Sequence, residues 1–186
     1  IANLSSVTVD DTAASDRMIE YLYQQGHRRI GVIGGSPDLS RPSLSRLAGA
    51  QGAMLRLGLP FSFEKQYAYA RFSLADGYKA MERLLETAPD ITAVFAMSDL
   101  MALGAIRALQ DHGLRVPQDI SVTGYDGIVL GQYSIPRLAT IRQGMEQLAV
   151  RSAKILLHNI KEPGTAVHEV VPFELIEGES VCKLNP

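Results

Sequence analysis

A chain of 186 residues, 46% apolar and 20% charged, has the size and balance of one globular domain with a real core. Its formal charge of −2 comes with no clustered basic face, which excludes a bare nucleic-acid grip; pairs such as Arg28-Arg29 are too short to count. The single cysteine, Cys182, excludes an intramolecular disulfide and a cysteine-built zinc site and fits a reducing, cytoplasmic setting, while no apolar run approaches the ~20 residues of a membrane-spanning helix.

In chain order, Asp10 or Asp11 is placed to cap a helix whose apolar residues Ala14, Met18, Tyr21 and Leu22 recur at helical spacing, and Gly26 closes it. Residues 30–35 (IGVIGG) read as a buried strand ending in a glycine turn, and 37–43 as a loop. Leu44, Leu47, Met54 and Leu57 mark the next helix, stopped by Gly58 and Pro60. A short strand at 66–70 follows, then a helix capped by Ser73 with Asp76 and carrying Tyr78, Met81 and Leu85. Residues 93–97 form a third strand. Ser98 caps a helix to Gly113 with Ala102, Ala105, Ile106 and Leu109 on its core face, and 120–124 form a fourth strand. Serial strand-helix units with continuously apolar strands predict an α/β fold: a parallel sheet with helices on both faces.

After Asp126 the rhythm breaks. Residues 128–135 are apolar without a strand partner, and 138–142 form a short strand. Residues 145–160 form a long amphipathic helix with Leu148, Ala149, Ser152, Ile155 and Leu156 on one side, ended by Pro163-Gly164. A last strand is expected over 168–177.

Enzymatic signatures are missing. There is no P-loop, no dinucleotide fingerprint, no nucleophile elbow and no zinc-binding histidine pair. His27, His112, His158 and His168 are scattered, and His27 and His112 stand beside helix-ending glycines, where a partner for the helix dipole is the simpler role. The chain is therefore expected to be no enzyme and to use no metal and no cofactor.

Ligands of open parallel sheets bind outside the carboxyl ends of the strands. At those ends the sequence gathers Arg46, Phe72, Ser98, Asp99 and Asp126. A ring can stack on the apolar face of a sugar while a guanidinium and a carboxylate bind its hydroxyls as planar forks. Each also has a structural explanation: Arg46 as a solvated helix residue, Phe72 as core, Ser98 as a cap, Asp126 as a turn. For Asp99, in a first helical turn, the dipole is the better explanation.

The stretches GHRRIGVIGG, SRLAGAQGAM, FAMSDLMALGAIRALQDHGLRVPQDISVTGYDG and IPRLATIRQ resemble the effector-binding half of LacI/GalR-type transcriptional regulators. The run 97–126 is the most specific, and the resemblance reaches from about Val7 to the end. It implies one nearly complete lobe of a two-lobed periplasmic-binding-protein-like domain. Residues 9–142 would be the C-terminal lobe, 144–175 a remnant of the N-terminal lobe, and 176–186 a return. The DNA-binding head would lie outside this chain.

The resemblance places effector contacts on Arg46, Phe72, Ser98 and Asp126, with Gln143 and Met145 from the other lobe, and a homodimer contact on Leu103, Leu130, Tyr133 and Ile135. It departs from the family at Ser98, where asparagine is common, and at Gly127, where a second acid is common. The implied partners are a sugar-like effector, a second copy and, through the head, DNA. The alternative is a periplasmic sugar-binding protein of a transporter. Substituting Arg46 or Asp126 by alanine is expected to weaken binding with little loss of stability.

Overall fold

The computed structural model describes residues 4–36, 38, 40–162 and 166–184. Strand β1 (Ser6–Val9) leads into helix α1 (Asp11–Gln24), then β2 (Ile30–Gly34), α2 (Arg41–Arg56), the short α3 (Phe63–Gln66) and β3 (Tyr67–Tyr69). Next come α4 (Leu74–Thr87), β4 (Ala93–Ala96), α5 (Asp99–Asp111), β5 (Ser121–Asp126), the short α6 (Val129–Gln132) and β6 (Ala139–Gln143). Helix α7 (Met145–Lys161), β7 (His168–Val171) and β8 (Phe173–Ile176) complete the order.

The main sheet runs β3-β2-β4-β5-β6-β8. All its pairs are parallel except the last, where β8 lies antiparallel on β6. The chain moves outward from β2 to β3 and then back past β2 to β4. Right-handed crossovers taken in opposite directions land on opposite faces, so the α1–α2 and α4–α5 pairs cover the two faces. The reversal between β2 and β4 is the topological switch point, where ligands of such sheets bind.

The core is continuous from Met18 and Leu22 of α1, through Ile33 and Phe95 in the sheet, to Met101 and Leu109 of α5. The α4–α5 contact depends on two missing side chains. A Cβ on Gly77 would stand 2.4 Å from the Met101 carbonyl oxygen, and one on Gly104 2.1 Å from that of Leu74, so only glycine allows these helices to approach so closely.

Three elements differ from expectation. Helix α2 begins at Arg41, not near Leu44: Ser40 is its cap, accepting from the Ser43 amide, and Pro42 sits in its first turn, where the missing N–H costs nothing. Arg46 is thus one turn further into the helix. The single strand expected over 168–177 is two strands parted at Pro172. The first half pairs in parallel with β1, a strand the sequence did not announce, and the second joins the main sheet. Proline carries no N–H for a ladder and marks the change of partner. The short apolar run after Asp126 contains α6. The expected stop at Pro163-Gly164, and Pro37 of the expected loop, lie outside the described residues.

His27 is not a charged partner of a helix end. It is fully buried, with Nδ1 3.0 Å from Thr92 Oγ1 and Nε2 3.2 Å from the Cys182 carbonyl oxygen. Burial holds its pKa down to about 4 despite the hydrogen bond to the Cys182 carbonyl. The unfolded chain takes up that proton near 6.5, so the folded state binds fewer protons between the two values. Its contribution is complete above pH 6.5 and disappears as pH falls through about 4. Urea unfolding should show a loss of about 2 kcal/mol from this group between pH 6.5 and 5, at ~1.4 kcal/mol per unit. A His27→Gln variant should lack that slope; equal slopes in the two proteins would disprove the assignment. His112, by contrast, behaves as expected at a helix end, with Nδ1 2.9 Å from the Ala108 carbonyl oxygen.

Candidate functional site

Arg46 projects from α2 across the switch point. Its Nε donates to Asp11 at 2.8 Å and its Nη1 to the Met97 carbonyl at the end of β4 at 2.6 Å. Nη1 also lies 3.7 Å from an Asp126 carboxylate oxygen, and the guanidinium stands 3.7 Å above the centre of the Tyr125 ring. With 6% of its surface exposed, Arg46 is no solvated helix residue. Tyr125 closes the circuit by donating to Asp11 at 2.8 Å. Burial, with Asp11 beside it, keeps the Tyr125 phenol protonated well above its ordinary range.

Asp126 ends β5 with φ 114°, the one non-glycine residue with positive φ among the described residues. Such a conformation persists only where neighbours impose it. Gly127 follows with φ 72°, and a Cβ there would fall 2.7 Å from Arg142 Cα, so the common second acid could not fit without moving β6. Behind this turn sits Asp99, fully buried. It accepts from the Ile128 amide at 2.7 Å and from Thr140 Oγ1 at 2.5 Å. Burial raises its pKa to about 6, partly offset by the Thr140 and Ile128 hydrogen bonds. Asp99 thus pins the turn that aims Asp126, a larger role than its dipole position implies.

Gln143, at the end of β6, donates to Asp126 Oδ1 at 2.7 Å. The Asp126 pKa is raised by burial, with Arg46 and then Gln143 pulling the other way. Met145 opens α7, is mostly exposed, and borders with Asp126, Ile128, Gln143, Glu146 and Leu148 a cleft of about 760 Å³. The structure therefore joins Arg46, Asp126 and Gln143 directly and sets Met145 on the same cleft. Ser98 is buried at the tip of β4, where its Oγ accepts from the Met101 amide at 3.2 Å. Phe72 is 39% exposed, so it is not simple core, and its ring lies over Gly35, where a Cβ would come within 2.7 Å of it.

Three participants were missed, and the role of a fourth, Asp99, is larger than the one expected of it. Asp11 was read as a cap alternative, but Asp10 does the capping and frees Asp11 to face Arg46. Tyr125 and Thr140 read as strand residues, and Asp99 as a dipole partner. A second surface lies beyond Gly127: Leu130, Tyr133 (81% exposed) and Ile135 (89% exposed) present apolar side chains to solvent with Val129. Leu103 is half-buried against the core and borders a groove of about 530 Å³ with Leu74 and Tyr78 between α4 and α5. Among the described residues no group of three His, Cys, Asp or Glu could hold a metal ion, and no helix is long and apolar enough to cross a membrane.

A polar cluster at the switch point of an open parallel sheet, beside a cleft of this size, is the architecture of a small-molecule-binding domain. A family model described as a periplasmic binding protein-like domain matches residues 19–181. The chain is 36% identical to the probable HTH-type transcriptional repressor ExuR of Bacillus subtilis (strain 168), over 98% of this chain and 54% of that protein. It is 40% identical to the HTH-type transcriptional repressor CytR of Escherichia coli (strain K12), over 83% of this chain and 44% of that protein.

Among solved structures, a transcriptional regulator CelR–cellobiose complex superposes with a TM-score of 0.91 at 34% identity, covering 96% of this chain and 54% of that one. A LacI family regulator from Enterococcus faecium with bound ribose gives 0.89 at 28% identity, covering 97% and 67%. The chain belongs to the periplasmic-binding-protein-like domain family, in the form carried by LacI-type transcriptional regulators. It spans about half the length of the curated relatives it matches.

Proposed function

We propose that this chain is the effector-binding region of a cytoplasmic LacI-type repressor that senses a sugar-like molecule and controls DNA binding allosterically through a head domain outside this chain. The observation that carries this reading is the meeting of Arg46 and Gln143 on Asp126, which with Gln143 lines the cleft. Phe72 and Ser98 are assigned to the effector's apolar face and hydroxyl edge, and Met145 to the opposite wall. The relatives named as repressors favour regulation over transport. Closure of two lobes on the ligand would shift a population between two states of the whole repressor. The two sheets support a division into lobes, residues 10–142 with β8 in one, and β1, α7 and β7 in the other.

The test is a thermal-shift screen of sugars and nucleosides on the full-length protein, repeated with Asp126→Ala. That variant should bind its best compound about 30- to 150-fold more weakly, as expected for the loss of a charged hydrogen bond worth roughly 2–3 kcal/mol, while unfolding near the wild-type temperature. Unchanged affinity would remove Asp126 from the site.

The homodimer is assigned to the half-buried Leu103 and to Leu130, Tyr133 and Ile135, the last three being exposed apolar side chains of the kind that mark partners, arranged about a two-fold axis. Tyr133→Glu with Ile135→Glu in the full-length repressor should shift sedimentation from dimer to monomer. A stable dimer in that variant would place the interface elsewhere.

A further inference from the structure

We infer that Asp99 is a positioning residue that works as a proton-sensitive latch: as a carboxylate accepting with both oxygens it keeps the turn after Asp126 in place, and taking up a proton releases that turn. Being buried, it acts through Asp126. That Asp126 meets an effector rests on the reading above, but the turn can be tested without a ligand, so the two can fail separately.

Asp126 holds φ 114°, a conformation that persists only with outside support. Arg46 and Gln143 reach its side chain, not the backbone that follows it. That backbone is held from beneath. Asp99 Oδ2 accepts from the Ile128 amide at 2.7 Å, and Oδ1 accepts from Thr140 Oγ1, on the neighbouring strand β6, at 2.5 Å. One carboxylate therefore ties the end of β5 to the strand that carries Gln143. The space is shaped for it. A Cβ on Gly124 would collide with Oδ1, and one on Gly131 would stand 3.9 Å from Oδ2. Asp99 is fully buried, so bulk solvent does not reach either bond.

A carboxylate serves two donors at once, whereas in a carboxylic acid one oxygen becomes a donor. Protonated Asp99 can keep both partners only if Thr140 Oγ1 turns to accept, and the bonds that remain are those of a neutral group, about half as strong. Burial raises the Asp99 pKa to about 6; the Thr140 and Ile128 hydrogen bonds pull it down, and the Asp126 charge adds to the rise. The other charges nearby are engaged elsewhere. β6 carries one charged residue, Arg142, paired with Glu174 at 2.6 Å. Helix α6 carries none, Leu138 beside Gly124 is apolar, and the next ionisable residue on α5 is Arg107, paired with Asp111. Arg46 lies on the far side of Asp126 and is held by Asp11. The sign follows. The tied turn stabilises the ionised form, so releasing the turn raises the pKa further, and acid favours release.

The test follows the Ile128 amide of the full-length protein by hydrogen exchange between pH 7.5 and 5. Its protection, corrected for the intrinsic pH dependence of exchange, should fall about tenfold as pH passes about 6, the factor that one pKa unit represents. Asp99→Asn keeps the shape without a titrating group, so its protection should show no step, while its melting temperature reports folding. Two neighbours test the direction. Thr140→Val removes a bond that holds the pKa down and should move the midpoint up; Asp126→Asn removes a charge that raises it and should move the midpoint down. Flat protection in the wild type, a step that survives in Asp99→Asn, or one that vanishes in Asp126→Asn overturns the proposal. Ribose, cellobiose and adenosine extend the test to the cleft. Whichever binds in calorimetry should lose about tenfold more affinity over that pH span in the wild type than in Asp99→Asn. Equal losses would separate Asp99 from effector binding. Silence from all three would overturn the effector reading and leave the result on the turn standing.

Discussion

Arg46→Ala should cost about 3–5 kcal/mol of folding stability, the scale for removing one partner of a buried ion pair and leaving the other charge uncompensated. This replaces the expectation, drawn from the sequence, that the change would spare the fold. The guanidinium is buried, and it satisfies a carboxylate, a strand-end carbonyl and the face of an aromatic ring. Alanine leaves Asp11 with only the Tyr125 hydroxyl and leaves the Met97 carbonyl without its donor. It also removes the cation that most strongly counters the rise in the Asp126 pKa, so that carboxyl should titrate still higher. Urea denaturation at neutral pH measures the stability. The double variant Arg46→Ala with Asp11→Ala supplies the control. If the loss is stranded charge, the double variant should recover part of it; if the loss is packing over Tyr125, it should be no more stable than the single. A single variant within 1 kcal/mol of wild type, on the scale of an exposed ion pair, would show that the cluster does not hold the fold together.

The parts of this fold that were legible are those fixed by local physics. Strands buried on both faces, such as β2 and β4, read as unbroken apolar runs, and Ser73 and Ser98 cap their helices as the sequence announced. What escaped depends on partners distant in sequence. β1 is four residues of modest hydrophobicity whose mate lies about 160 residues on, so nothing nearby marks it as a strand. The change of sheet at Pro172 was concealed by an apolar run on both sides of the proline. The start of α2 was placed late because its first turn carries no apolar periodicity, only a cap and a proline.

The site divides in the same way. Arg46 and Asp126 could be nominated because strand ends are where ligands sit, and Gln143 and Met145 because the resemblance placed them there. Asp11 could not, since its role is decided by which of two adjacent aspartates faces inward, and its partners are 35 and 114 positions away. Asp99 illustrates a further limit. A carboxylate at the start of a helix satisfies the dipole whether or not it also holds a turn, so its grip on the Ile128 amide and Thr140 left no trace in the sequence.

The 186-residue chain on its own should associate through α7. This helix has no buried residue, and Val150, Leu156, Leu157 and Ile160 along it are largely exposed, as is Val170 on β7. Its strand neighbours form only a two-stranded parallel sheet, β1 with β7, too small to cover an apolar face, although the pairing supplies β7 with one satisfied edge. In a two-lobed domain the remaining strands of the lobe would cover these side chains; without them, a second copy is the available apolar surface. Full burial of each large side chain is worth roughly 1.5–3 kcal/mol, so two charged substitutions should weaken association by about a hundredfold or more. Sedimentation of the isolated chain should show a dimer or larger species that Leu156→Glu with Ile160→Glu converts to monomer. The comparison belongs in a Leu130→Glu, Tyr133→Glu background, so that the surface beyond Gly127 does not supply the association. A wild-type chain that stays monomeric at every concentration, or a double variant that associates as before, would show that α7 is content in water.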